Sequence, residues 1–143
     1  MKFSTRSRYG TRLMLDLAER YLDWPVHLAA VAQHQGISVK YLEQIIIPLK
    51  KANYIQSVRG PKGGHQLAKS PEEITVGEIV ALLEEGTTLA ECSDNNGICE
   101  RASICLTRRL WKEAAQAMFD KLDSITLADV LKMAEPGPSG QGA

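Results

Sequence analysis

Residues 38–69 read SVKYLEQIIIPLKKANYIQSVRGPKGGHQLAK, and their pattern decides the fold of this 143-residue chain. Leu42, Ile45, Ile46 and Leu49 recur at the i, i+3, i+4, i+7 spacing of one helix face, and Ser38 stands in front of them as an N-cap. Lys40, Glu43, Gln44 and Ile47 are left on the opposite side. Pro48 has no N–H and is expected to end or kink this helix, with residues 49–53 completing the packing as a turn. Two strand-like pieces follow, residues 55–58 and 65–68, on either side of Arg59, Gly60, Pro61, Lys62, Gly63 and Gly64. That is a hairpin with a flexible basic tip. Its glycines lie between strands and lack the G-K-[ST] ending of a phosphate-cradling loop.

Working outward toward the N-terminus, Ser4 and Thr5 are candidate caps of a helix over residues 5–21, with Leu13, Met14, Leu17 and Ala18 as its apolar stripe. Trp24 and Pro25 break the pattern. A short helix over residues 28–35 then turns Leu28, Val31 and Ala32 inward and stops at Gly36. Two short helices joined by a glycine turn and followed by a basic hairpin make a winged helix-turn-helix. The fold class expected is therefore mainly α with a small β-wing. His27 and His34 are expected at or near the surface rather than as ligands.

A formal net charge of zero hides an asymmetry. Residues 1–69 carry eleven Lys or Arg against four Asp or Glu, a net of +7, while residues 70–143 carry six against thirteen, a net of −7. A basic half is the electrostatic footprint of a polyanion partner. Lys2, Arg6, Arg8 and Arg12 crowd the start of the first helix, the wrong end of a helix dipole for cations, so phosphate groups are their expected partners. Ser38, Lys40 and Tyr41 open the second helix of the pair and are further candidate DNA contacts. Gln44 suits bidentate pairing with adenine, Glu43 accepts from a cytosine amine, and Ile47 offers a contact to a thymine methyl. At the wing, Ser57, Arg59 and Lys62 are candidates, Arg59 for a narrow minor groove and Lys62 for phosphate. No nucleophile–base pair or cofactor fingerprint occurs, so an enzyme is not expected. Residues 1–10 are polar and basic rather than apolar, and no run reaches the length of a membrane span, so a cytoplasmic location is expected.

The C-terminal half is organised differently. Thr75 and Glu78 form a capping box before a helix over residues 76–84 that carries Ile79, Val80, Leu82 and Leu83. Gly86 closes it. Residues 91–105, ECSDNNGICERASIC, hold all three cysteines, with six residues between Cys92 and Cys99 and five between Cys99 and Cys105. Asp94, Asn95, Asn96 and Gly97 read as a turn that folds the first thiol toward the others. Converging thiolates suit zinc, copper(I) or an iron–sulfur cluster, and in a reducing compartment metal-bound or free thiols are favoured over disulfides.

Residues 104–122 read as one long helix whose apolar band includes Leu106, Leu110, Trp111, Ala114, Ala115, Ala117, Met118 and Leu122. A band this broad needs cover, and the economical cover is the same helix of a second subunit. Such a homodimer would present paired reading helices to a palindromic double-stranded DNA operator. Thr126 and Asp129 cap a last helix to Met133, and residues 135–143, EPGPSGQGA, are expected to be disordered. The expected division is a DNA-binding domain over residues 1–70, a cluster-binding loop with dimerisation helices over 71–134, and the tail.

Several blocks together carry a resemblance: SRYGTRLMLDLA at residues 7–18, YLEQI at 41–45, SVRGPKGG at 57–64, ITVGEI at 74–79, CLTRRLW at 105–111 and ITLADV at 125–130. They resemble the family of the iron–sulfur cluster regulator IscR, the nitric oxide sensor NsrR and the cysteine-metabolism regulator CymR, most closely its IscR-like branch, over about residues 1–134. The resemblance implies a dimeric winged-helix transcription regulator, commonly a repressor. It also implies base-reading roles for Glu43 and Gln44, wing contacts by Ser57 and Arg59, and a cluster held by Cys92, Cys99 and Cys105. CymR-like members lack the three cysteines, which places this chain with the cluster-binding members.

The sequence departs from the family at the fourth ligand. IscR-like members carry a histidine where this chain has Arg108, and NsrR-like members use an aspartate where it has Arg8; the first cysteine spacing is also one residue longer than usual. An arginine has no lone pair to offer a metal. The fourth position thus goes to Glu91, Asp94 or Glu100, to a hydroxyl or to a small molecule, or stays open, with the two-iron (2Fe-2S) form favoured over the four-iron (4Fe-4S) form. A zinc-stabilised DNA-binding or interaction module and a cluster-free thiol-redox regulator are the alternatives.

Overall fold

A computed structural model of the chain describes residues 2–86 and 105–133. Among the described residues six helices and two strands occur in this order: α1 (Thr5–Glu19), α2 (Leu28–Gln35), α3 (Val39–Lys51), β1 (Ile55–Val58), β2 (Gly64–Leu67), α4 (Val76–Leu83), α5 (Leu106–Asp123) and α6 (Leu127–Met133). The fold is mainly α with a β-wing, as the sequence pattern implied. Cys92, Cys99, the turn at residues 94–97, the carboxylates Glu91, Asp94 and Glu100, and the tail at 135–143 lie outside the described residues.

Helices α1, α3, α4 and α6 start where a side chain satisfies one of the first free N–H groups, whereas α2 and α5 begin after His27 and Cys105 without such a bond. Ser4 accepts from Ser7 N–H at 3.1 Å and Ser38 from Tyr41 N–H at 3.1 Å. Thr75 and Glu78 form a reciprocal box, with Glu78 N–H to Thr75 Oγ1 at 3.1 Å and Thr75 N–H to Glu78 Oε2 at 2.9 Å. Thr126 and Asp129 repeat it, with Thr126 N–H to Asp129 Oδ2 and Asp129 N–H to Thr126 Oγ1 both at 3.0 Å, and hydrogen bonding from Thr126, its backbone N–H first, holds the Asp129 carboxyl below its usual range.

Several boundaries differ from the expectation: α1 ends at Glu19 rather than Tyr21, α4 at Leu83 rather than Glu84 and α5 at Asp123 rather than Leu122, and two more bear on the site. Helix α3 runs through Pro48 to Lys51. Proline removes one backbone donor, but the loss is offset by Leu49, which lies one residue further on and is fully buried. What ends the helix is Asn53, in the left-handed region at φ 62°. Its N–H bonds Lys50 O and the next N–H, of Tyr54, bonds Leu49 O, both at 3.0 Å, which is the Schellman closure. Strand β2 begins at Gly64 rather than His65, because Val58 pairs with Gly64 in the antiparallel register that also sets Ile55 opposite Leu67.

One contiguous core gathers Leu13, Met14 and Leu17 of α1, Leu42, Ile45 and Leu49 of α3, Ile55 and Leu67 of the wing, and Ile74, Ile79, Leu83 and Leu127. Gly10 is buried where α1 meets α4, and a Cβ there would run into Leu83. This close approach sets the first helix directly against the helix that leads into the cysteine segment.

Candidate nucleic-acid interface and cysteine segment

Because α3 spends its apolar face on the core, its other face is left in solvent. Lys40, Glu43 and Gln44 are exposed, Ser38 is exposed at the cap, and Ile47 is 52% exposed despite its apolar side chain. Tyr41 is half-buried and packs edge-to-face on Tyr9 at 6.0 Å between ring centroids, so it joins α3 to α1. Gly36, at φ 67°, makes the left-handed turn between α2 and α3.

The orientation of α2 rests on a polar network that the sequence pattern did not expose. Asp16 is 6% exposed, yet its carboxylate is fully engaged: His34 Nδ1 lies 3.0 and 3.1 Å from its two oxygens, and Gln35 Nε2 donates at 2.9 Å. Arg12 then reaches Gln35 Oε1 at 2.6 Å and Gln35 O at 2.8 Å, at the carbonyl end of α2 where a cation is favourable. His34 is thus exposed but tied, eighteen residues in sequence from its partner. Arg12 serves this link and also lies over the Tyr9 ring at 5.3 Å.

The other basic residues of α1 have different surroundings. Lys2 and Arg8 are exposed, Arg8 within 3.5 Å of Thr5 Oγ1. Arg6 pairs with Glu85 at 3.3 Å, and Ser4 N–H donates to Glu84 Oε1 at 2.6 Å. Partial burial pushes the Glu84 carboxyl up, but hydrogen bonds from Ser7 and Ser4 outweigh it and leave the group below its usual range.

The wing is joined to the rest of the fold through Val26. Val26 and His65 exchange two backbone hydrogen bonds, both 2.8 Å, adding a third extended segment beside β2. A single bridged residue shows no alternation, so no sequence signal marked it. Ser57 and Arg59 are exposed, as is Lys62, whose Nζ lies 5.0 Å from the centre of the Trp24 ring. His65 shares a 3.2 Å hydrogen bond with Ser57 Oγ, and its pKa is lowered by burial, by Lys50 and by His27.

A solvent-facing helix surface followed by a basic hairpin is the arrangement of a DNA reader. A model of the Rrf2 family, described as an iron-dependent transcriptional regulator, matches residues 3–133. The chain belongs to the Rrf2 family. Among relatives of this Rrf2 chain, protein rrf2 of Nitratidesulfovibrio vulgaris strain Hildenborough is 51% identical over 96% of the chain and 92% of its own length. The regulator IscR of Aliivibrio salmonicida is 37% identical over 92% of the chain and 77% of its own length. Two solved structures agree: T. potens IscR, with a TM-score of 0.80, 39% identity and coverage of 99% of this chain and 94% of that one, and B. subtilis CymR, the global cysteine regulator, with 0.79, 35%, 94% and 99%. The Rrf2 chain is a winged-helix DNA-binding transcriptional regulator related to IscR and CymR, and those relatives are named as regulators rather than enzymes. Among the described residues no helix is long and apolar enough to cross a membrane.

Of the three cysteines, Cys105 is described. It caps α5, partly buried, with Sγ 3.0 Å from Thr107 Oγ1, and the first turn of that helix carries no acidic residue. A cysteine sulfur is a soft donor, so this residue fits soft-metal ligation. Among the described residues no three His, Cys, Asp or Glu side chains gather as a metal site. Arg108 lies one turn along α5, half-buried.

Proposed function

We propose that this Rrf2 chain is a homodimeric repressor that reads a palindromic operator and changes its affinity for it with the state of an iron–sulfur cluster held by Cys92, Cys99 and Cys105. Residues 1–70 do the reading, residues 71–134 carry the cluster segment and the dimer helices, and residues 135–143 form the tail. The observation that carries the reading is the solvent-exposed face of α3, with Glu43 and Gln44 presented by a helix whose other face is locked in the core. Glu43 and Gln44 contact base edges; Ser38, Lys40, Tyr41, Lys2, Arg6, Arg8 and Lys62 border the phosphates; Ser57 and Arg59 follow the neighbouring minor groove.

Dimerisation is supported by α5. Leu106 is 85% exposed, Leu110 52% and Trp111 42%, an apolar ridge along the helix that no other described residue covers. The ridge begins immediately after Cys105. Bound there, a cluster would supply redox-sensitive ligation; the chain's own part is to supply three thiolates, one at the N-terminus of the dimer helix. With Arg8 and Arg108 at the family's fourth-ligand positions, the site is completed from elsewhere in the cysteine segment or by a small molecule, in a two-iron form by preference.

The test is iron and sulfide analysis, with visible spectra, of protein kept free of oxygen. Stoichiometric iron and acid-labile sulfide with visible absorption, both lost in a Cys99→Ser variant, is the expected result. A colourless protein that binds zinc would replace the cluster by a structural site, and a metal-free protein would leave a thiol-redox regulator.

A further inference from the structure

Trp24 is 71% exposed in the loop between α1 and α2, so burial is not what holds it in place. Its ring instead lies under Lys62 at the wing tip, 5.0 Å from Nζ to the ring centre, within cation–π range. Among the described residues no carboxylate forms an ion pair with Lys62.

The surrounding backbone makes this stack a fixed one. Two residues beyond Trp24, the double hydrogen bond of Val26 with His65 clamps the loop to β2. Gly64, at φ 149°, passes so close to the Val26 backbone that a Cβ would collide with it. Gly63 is buried against the backbone of Val58, and its N–H bonds Gly60 O at 2.9 Å, which closes the tip turn. Base and loop are therefore one unit, and the exposed residues Arg59, Pro61 and Lys62 project from it beside a groove of about 480 Å³ floored by Trp24 and Pro25.

We propose that Trp24 is a positioning residue for DNA binding: its ring holds the Lys62 ammonium at the wing tip and so sets where Lys62 meets the DNA backbone, with Arg59 beside it at the minor groove. The proposal rests on the reading of the β1–β2 hairpin as the wing that touches DNA. A lysine already held by an aromatic face loses less side-chain freedom on binding phosphate than a free one. Trp24 has no charge, so it influences counterion release only through a lysine it positions.

Fluorescence anisotropy of a labelled operator, selected from random duplex DNA, would be followed across a range of salt concentrations for W24A, W24F, K62M, W24A/K62M and R59A. W24A is expected to weaken binding about two- to fivefold and to flatten the salt dependence toward that of K62M, by up to about one unit of slope. W24F should restore most of both effects, and W24A should add nothing in the K62M background. Without DNA, K62M should move the Trp24 indole N–H resonance, assigned by its loss in W24F. An unmoved resonance, an unchanged salt slope in W24A, or an equal loss from W24A with and without Lys62 would overturn the proposal while R59A still weakens binding. If R59A binds as well as the wild type, the wing does not engage DNA, and the wing reading falls together with the proposal.

Discussion

Helices α3 and α5 carry similar numbers of apolar residues and treat them in opposite ways. Helix α3 buries Leu42, Ile45, Ile46 and Leu49 and leaves Ile47 as its single well-exposed large apolar side chain in mid-helix. Helix α5 buries only Ala115 and Phe119 and leaves Leu106, Leu110 and Trp111 in solvent. The first helix is finished within its own chain, so its outer face is free to be polar and to read. The second is unfinished, and its apolar ridge needs a surface that the described chain does not provide.

The largest expected effect breaks the finished side. Leu49→Ala empties a fully buried position and should lower unfolding free energy by about 2–5 kcal/mol in urea titrations, by the same amount at every protein concentration. A leucine-to-alanine change at Leu110 should instead give a loss that depends on protein concentration, because it weakens association rather than the fold. If both losses were independent of concentration, α5 would be completed within the chain.

Next in size is Leu110→Glu, which puts a charge into the centre of the ridge. Sedimentation should show monomers in place of dimers, and operator affinity should fall by about a hundredfold or more as two half-sites cease to be read together. A variant that remained dimeric would move the interface elsewhere. Gln44→Ala sharpens the comparison from the reading side: roughly 1–3 kcal/mol of discrimination should be lost at one base position in a panel of operator variants, with dimerisation untouched.

The smallest effect is the pH dependence of the wing base. Burial, Lys50 and His27 lower the His65 pKa in the fold, so the unfolded chain binds its proton first as pH falls. The contribution to stability is complete above the ordinary histidine value of about 6.5 and is lost as pH drops below it toward the lowered folded value. The difference in unfolding free energy between wild type and His65→Gln should narrow in that window, and a difference that stayed constant from pH 8 to pH 5 would contradict the assigned cause.

How much of this was legible beforehand follows from the kind of signal each feature leaves. The α3 face was readable because four core residues repeat at helical spacing, and the capping boxes because each needs only residues three apart. Pro48 misled because its local penalty is one hydrogen bond, whereas the burial of Leu49 and the left-handed Asn53 together decide where the helix stops. Phe119, buried at 6% exposure, lay beyond the residues picked out of the apolar band, since which side of a helix is covered is set by its neighbours. The Asp16–His34–Gln35–Arg12 network and the Val26–His65 bridge join residues distant in sequence, and no local pattern announces them. Arg12 illustrates the consequence: its charge suggested phosphate, and its geometry assigns it to the end of α2.

In the proposed function the unfinished helix acts on the reading helix through the cysteines that precede it, and that link is tested most directly by operator affinity at matched salt. Anisotropy titrations of cluster-loaded and cluster-free protein, both without oxygen and at one ionic strength, should give different dissociation constants, with the difference abolished in Cys99→Ser. Equal affinities of the two forms for the selected operator would contradict it, because a cluster that binds both DNA-reading states alike cannot shift one toward the other.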